Sequence, residues 1–406
     1  MISRIIRLQI FKAFHYRNFP LVFLSTVAYS TGFFIMMVAL GWLILEMTNS
    51  PLSLGMVWAA RSGPFLIFGI FAGAVADKID RRRLLILTFI MLAVCAFFMG
   101  ILISRGWIQL WSILLVTFII GSIMTFNMTT RQAFVVDIVG PEDAMSALSM
   151  NAAAMRIAGI FGSIAAGWVI ELLGVDWCFY IMCVSYLIGI IILLCIRGVV
   201  TKTGSGQQSI RANFLEGLQI IRTNQTVLTL MVMAIICEVL GFSYQVVLPV
   251  FARDILKIGA VGLGTLSMAS SIGALAGVLT LASLGNYKHK GWLILIVFLF
   301  FGAFLVLFSQ SPWYLVSLFL IGIVGAVSGA FDAMQHTLLQ LNVADEQRGR
   351  AMGMWMLSIG FMPIGSIAIG AIAALVGAQL AVSINGIVII ATFVILAIFV
   401  SSLRRV

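Results

Sequence analysis

GSIAAG at Gly162–Gly167 returns as GSIAIG at Gly365–Gly370, 203 residues further on in a chain of 406. At the same shift Gln132 falls on Gln335, Gly174 on Gly377, and the acidic pair Glu142-Asp143 on Asp345-Glu346. At a shift of 204, GIFAG at Gly69–Gly73 meets GALAG at Gly273–Gly277. Matches that fall in order at nearly one offset mark an internal duplication. The chain is therefore expected to hold two halves in parallel orientation, residues 1–200 and 226–406. The connector, 201–225, includes the flexible segment TKTGSGQQS. After it, Phe214, Leu215, Leu218 and Ile221 share one helix face, with Glu216 and Arg222 off it. That pattern predicts a short helix lying along the inner membrane interface.

What each half consists of follows from composition. The chain is 62% hydrophobic and only 9% charged, whereas a soluble domain devotes about a quarter of its residues to charge. Most of its surface must face lipid. Apolar runs long enough for a helix to cross the bilayer recur at roughly 20–46, 51–76, 84–104, 107–136, 145–172, 176–196, 226–252, 258–284, 291–309, 312–341, 348–375 and 378–402. These runs are continuous, which disfavours a β-barrel, whose strands alternate apolar and polar residues. The expected fold is an all-α membrane protein with twelve transmembrane helices in two pseudo-symmetric six-helix bundles.

The net charge of +10 is explained by topology, not by nucleic acid. Counting from a cytoplasmic start, nineteen Lys and Arg fall in inside segments, and only Arg105, Arg253 and Lys257 fall outside. This positive-inside bias predicts that both termini are cytoplasmic. The basic, amphipathic start MISRIIRLQIFKAFHYRNF has no small-residue cleavage site and is expected to stay attached, as a membrane-surface segment. Cys95, Cys178, Cys183, Cys195 and Cys237 all sit in predicted spans without metal-ligand spacing and are expected to be small core residues.

Six of the seven residues Asp77–Arg83 are charged, in a gap between two apolar runs. Two six-span halves with a charged loop after span 2 resemble the major facilitator superfamily of secondary transporters. The superfamily's loop motif, Gly-x-x-x-Asp-Arg-x-Gly-Arg-Arg, stands here as Gly73, Asp77, Lys78, Asp80, Arg81 and Arg82, with Lys in place of Arg and Asp in place of the second Gly. LLQLNVADEQRGRAMGMWMLSIGFMPIGS (Leu338–Ser366), FLEGLQIIRTN (Phe214–Asn224) and RQAFVVDIVGPED (Arg131–Asp143) are similar to the branch containing enterobactin exporters and macrolide-efflux proteins. The resemblance implies a cytoplasmic gate formed by Gly73, Asp77, Lys78, Asp80, Arg81, Arg82, Arg131 and Asp137. Asp77 would face the start of span 11, and Arg81 or Arg82 would pair with Asp137. Simple topological anchoring is the alternative role for these charges.

Ionisable residues inside a span cost several kcal/mol and are functional candidates by default. Arg156, Glu238 and Asp332 lie roughly 17, 18 and 14 Å from the cytoplasmic ends of spans 5, 7 and 10. Arg61 lies nearer the outer surface in span 2. Glu238 is the leading candidate for loading and releasing a proton. Asp332, His336 and Gln340, at four-residue steps, share a helix face. A static Arg–carboxylate bridge is the competing reading. In the resembled family spans 1, 4, 7 and 10 line the cavity, which would place Tyr29, Asn127, Tyr244 and Gln245 there among many Phe and Met. Gly159–Ser163 reads GIFGS, keeping the glycines of an antiporter motif but with Ile160 where Pro would fall.

Gly-x-x-x-x-Gly-Lys-Ser/Thr, His-Glu-x-x-His and Gly-x-Ser-x-Gly are all missing from the sequence, so neither an ATP engine nor an enzyme is expected. The expected function is secondary active transport: proton-coupled export of a small amphipathic or siderophore-like molecule from the bacterial cytoplasm across the inner membrane. The expectation includes no cofactor beyond the proton-motive force, a monomer, and a small-molecule substrate and the bilayer as partners. An importer or lysophospholipid flippase, and a non-transporting receptor or scaffold, are the alternatives.

Overall fold

The computed structural model describes residues 9–198, 216, 218–219, 221–284, 289–344 and 347–399. Most of the connector, with Phe214 and Leu215, and the acidic pair Asp345-Glu346 lie outside the described residues. The described chain is helical. A short 3₁₀ helix, Gln9–His15, precedes α1 (Phe19–Thr48), α2 (Pro51–Lys78), α3 (Arg81–Ser104), α4 (Leu110–Leu173) and α5 (Val175–Cys195). After the connector come α6 (Gln225–Ile236), a π-helical turn at Cys237–Gly241, α7 (Tyr244–Val250) and a second π-helical turn at Phe251–Ile255. The chain continues through α8 (Gly259–Ser283), α9 (Lys290–Gln310), α10 (Tyr314–Leu341), α11 (Arg348–Ile359), α12 (Met362–Val376) and α13 (Ala378–Phe399).

Among the described residues, ten helical segments are long and apolar enough to cross a membrane. The pair Pro51–Gly69 and Phe71–Lys78, bent by 64°, makes an eleventh if counted as one span. α4 has 64 residues, about twice the length of a tilted bilayer crossing. Gly140, with φ 78° and ψ 170°, breaks it, and Pro141 follows with no N–H to continue the helical ladder. The positive φ is one that glycine adopts without steric cost. The apolar runs expected at 107–136 and 145–172 lie on either side of this break. Phe98, Trp111, Leu172, Leu315 and Leu375 are exposed, as side chains facing lipid should be.

The chain forms two compact units. The first comprises residues 1–40 and 67–207, the second 41–66 and 208–406. In the duplication 41–66 count with the first half; by packing they group with the second unit. There, Gly41 sits on the Pro249 ring and Gly55 on the Ser366 carbonyl, and a Cβ at Gly370 would stand 2.7 Å from the Pro51 carbonyl oxygen.

Within the first unit, Gly189 lies against the Phe89 ring and Gly162 against the backbone of Thr31. In the second, α8 and α10 touch backbone to backbone. Gly273 meets the Gly322 carbonyl, Gly277 the Ala326 carbonyl, and Gly325 the Ser270 carbonyl. Gly302 and Gly386 join α9 to α13 in the same way. Helices in lipid associate where small residues let backbones approach, so these positions hold the unit together. The duplicated pair Gly69 and Gly73, expected to pack in the same manner, has no described atom within 4 Å of where a Cβ would stand. Among the described residues, the close backbone approach is seen at the second copy of the motif.

Candidate functional site

Glu238 lies in the π-turn Cys237–Gly241, between α6 and α7. The turn closes when the Phe242 N–H donates to the Cys237 carbonyl at 2.8 Å, five residues back. A π-turn holds one more residue than an α-turn and frequently marks a functional position. Three helices pack around it. Gly365 of α12 lies on the Val239 carbonyl, and Gly241 faces the Phe301 ring of α9. Asn385 of α13 donates its Nδ2 to the Leu240 carbonyl at 3.1 Å and to Ser243 Oγ at 2.8 Å. Asp332 of α10 lies close enough for its charge to act on both Glu238 and Cys237. Glu238 and Asp332 are each half-buried. One turn along α10, the His336 ring stacks on Trp355 with centroids 4.0 Å apart. Gln335 Nε2 donates to the Leu230 carbonyl at 2.7 Å. The second unit thus holds two carboxylates, the charge of one acting on the other, in an otherwise apolar bundle, with His336 packed separately on Trp355.

The first unit holds a second polar centre, around Arg131. Counted as a cytoplasmic-gate residue from sequence, Arg131 stands inside the bundle, 4% exposed, nine residues and therefore about 14 Å from the Gly140 break. Its Nη1 donates to Thr26 Oγ1 at 2.8 Å and to Ser25 Oγ at 3.4 Å. Nε and Nη2 both reach Asn127 Oδ1, at 3.3 and 3.2 Å. Its guanidinium lies 4.7 Å from the centre of the Tyr29 ring and 5.4 Å from that of Phe89. Asn127, expected to line a cavity, is fully buried and donates its amide to Thr88 Oγ1 at 2.7 Å. Thr26 in turn donates to Asn151 Oδ1 at 2.6 Å. Among the described residues, the bonds of this buried cation go to neutral oxygens and its faces to aromatic rings, which tie α1, α3 and both segments of α4 together. Arg131→Ala removes a short charge-assisted bond and two cation–π contacts. Thermal denaturation in detergent is expected to show a loss of about 3 kcal/mol.

The charged loop is held to the first unit by its arginines. Arg81 is the partner of Asp137, with Nη1 at 2.7 Å from Oδ1, and its Nη2 reaches Asp77 at 3.0 Å. Arg82 turns elsewhere and donates to the carbonyls of Leu193 and Leu194, at the C-terminal end of α5, where a cation also suits the helix dipole. Asp80 is the N-cap of α3 and accepts from the Arg83 N–H at 2.8 Å. Lys78 is exposed. Nearby, the Tyr16 hydroxyl donates to Asp143 Oδ2 at 2.9 Å, and this bond to a carboxylate raises the Tyr16 pKa above its ordinary value.

The remaining candidates are dispersed. Arg61 is buried in the second unit, 4.7 Å above the Trp58 ring. Arg156 is half-buried in the first. Tyr244 is buried with its hydroxyl 3.0 Å from Ser270 Oγ, and Gln245 is half-buried beside it. Sequence reasoning missed Asn385, Ser243, Thr26 and Asn151. The available signal was chemical, since Asn151 and Asn385 are amides inside apolar runs, where an unpaired polar group is costly.

A family model described as transmembrane secretion effector matches residues 9–405. A staphyloferrin A transporter of Staphylococcus aureus is 25% identical over 376 residues, covering 90% of this chain and 92% of that protein. An enterobactin exporter of Escherichia coli is 23% identical over 385 residues, covering 92% and 91%. Among solved structures, a nucleoside transporter superposes with a TM-score of 0.71 at 16% identity over 94% of this chain and all of that one. A peptide-transporter-family protein in complex with 5-aminolevulinic acid gives 0.76 at 10% identity over 95% and 96%. These structural likenesses establish a shared fold.

Proposed function

The chain belongs to the transmembrane secretion effector family of major facilitator transporters, and from that premise we propose that it exports a small, amphipathic, siderophore-like molecule in exchange for protons. The observation that carries this reading is Glu238, a carboxyl set in a π-turn within an apolar bundle, in the field of a second carboxyl at Asp332. Membrane interiors retain such groups where they do work. A carboxylate so placed can take up and release a proton, and entry of a substrate disturbs that balance. Alternating access then converts proton entry into substrate exit. Two relatives, named for a staphyloferrin and for enterobactin, support a siderophore-like substrate. Both termini face the cytoplasm in this reading, and one chain suffices for transport.

The test is flux in proteoliposomes with an imposed pH gradient, using iron-free hydroxycarboxylate and catecholate chelators, lipophilic drugs and lysophospholipid, each loaded on either side. Movement of a chelator against the proton flow is the expected result. Movement with the protons replaces the exporter by an importer. Saturable binding without flux in either direction replaces it by a receptor.

A further inference from the structure

We infer that Asn385 of α13 is a positioning residue for Glu238 and acts by clamping the π-turn that carries it; the inference rests on the proton-coupling role proposed for Glu238. Asn385 is 4% exposed, in a helix otherwise made almost entirely of apolar residues. Its side-chain amide makes two bonds, both to the turn 145 and 142 residues away in sequence. Ser243, which accepts one of them, itself donates to the Leu240 carbonyl at 2.9 Å. Asn385, Ser243 and Leu240 therefore form a closed triangle over the end of the π-turn.

The geometry explains why such a clamp is needed. A π-turn competes with the ordinary α register, which has one residue fewer in the turn. Sliding to the α register would rotate Tyr244 and Gln245 by about 100° relative to Glu238. Among the described residues, α12 and α9 approach the turn by close packing, Gly365 on the Val239 carbonyl and Gly241 against the Phe301 ring. Packing limits the space but does not select a hydrogen-bond register. Asn385 supplies the directed bonds, and through the turn it sets where the Glu238 carboxyl points. The charge that acts on Glu238 from another helix is that of Asp332 of α10, and both carboxylates act on the adjacent Cys237 thiol. Asn385 itself neither titrates nor carries charge.

The experiment reads Glu238 directly. The carboxyl C=O stretch of protonated Glu238 is followed by infrared difference spectroscopy across pH in the reconstituted full chain, and is assigned by its loss in Glu238→Gln. Asn385→Ala is expected to move the pH midpoint of that band by at least one unit and to cut gradient-driven flux about tenfold. Asn385→Gln, which keeps the amide donor, is expected to recover most of both. In the Glu238→Gln background, Asn385→Ala is expected to change substrate-for-substrate exchange, the flux that variant retains, less than twofold. If Asn385→Ala does not fold, Ser243→Ala opens one side of the triangle and is expected to shift the band in the same direction by a smaller amount. An unmoved band in a folded variant overturns the inference, as does an equal flux loss with and without Glu238. Gradient-driven flux that survives Glu238→Gln overturns the coupling role instead, and the band still reports whether Asn385 positions the carboxyl.

Discussion

Glu238→Gln is expected to leave a folded protein that exchanges substrate for substrate within about threefold of wild type, yet no longer accumulates substrate against a gradient. Glutamine has nearly the shape of a protonated glutamate, so packing against Val239, Gly365 and the π-turn is preserved. What is lost is the capacity to bind and release a proton. Exchange of identical substrates needs only the conformational cycle, and that cycle does not require net proton movement. Accumulation draws on the pH gradient. One pH unit corresponds to about 1.4 kcal/mol per proton, a tenfold concentration ratio for one-to-one exchange. The wild type is expected to approach that ratio under a one-unit gradient and the variant to stay at unity. The measurement is the steady-state ratio of labelled substrate in proteoliposomes. A variant that still concentrates substrate would remove Glu238 from the mechanism and turn attention to Asp332.

Gly277→Leu is expected to cost more than about 3 kcal/mol of stability, the upper range for overpacking, and to abolish a monodisperse folded species. A Cβ at Gly277 meets the Ala326 carbonyl, and one at Gly273 the Gly322 carbonyl. The obstacles are helix backbone, which no rotamer change moves aside. α8 and α10 would have to separate, disrupting the matching approach of Gly325 to Ser270 and of Gly329 to Ala274. The control is Gly73→Leu, the same change at the matching position in the first copy of the motif: a Cβ there meets no described atom within 4 Å, and removing a glycine from a helix favours folding by up to about 1 kcal/mol. Size-exclusion profiles and thermal melts of the two variants in one detergent decide the matter. Equal tolerance at both positions would show that the close approach in the second unit does not hold it together.

The duplication, the membrane location and the helical fold were legible in the sequence because each rests on one-dimensional facts: repeat offset, run length and the near-absence of charge. Glu238 and Asp332 stood out for the same reason, since an acid in an apolar run is conspicuous whatever surrounds it. Asp137 was legible as the partner that the family resemblance implied for Arg81 or Arg82, and the structure assigns it to Arg81. Local sequence carries no record of how a helix is wound at a given residue, and so the π-turn under Glu238 was invisible. An α-turn and a π-turn use the same residues, and neighbours distant in the chain decide between them. Arg131 illustrates the same limit. Its place near a basic loop suggested a surface charge, but the Thr26, Asn127 and Tyr29 side chains that enclose it come together only when α1 and α4 pack. Gly69 and Gly273 occupy matching positions in the repeat, and only their neighbours in space assign packing to one and not the other. The sequence alone determined which residues must leave water and which charges are anomalous, because transfer free energies belong to single side chains. Tertiary structure decided which of those anomalies are paired, clamped or enclosed, because hydrogen bonds and close packing belong to pairs of residues that the chain keeps far apart.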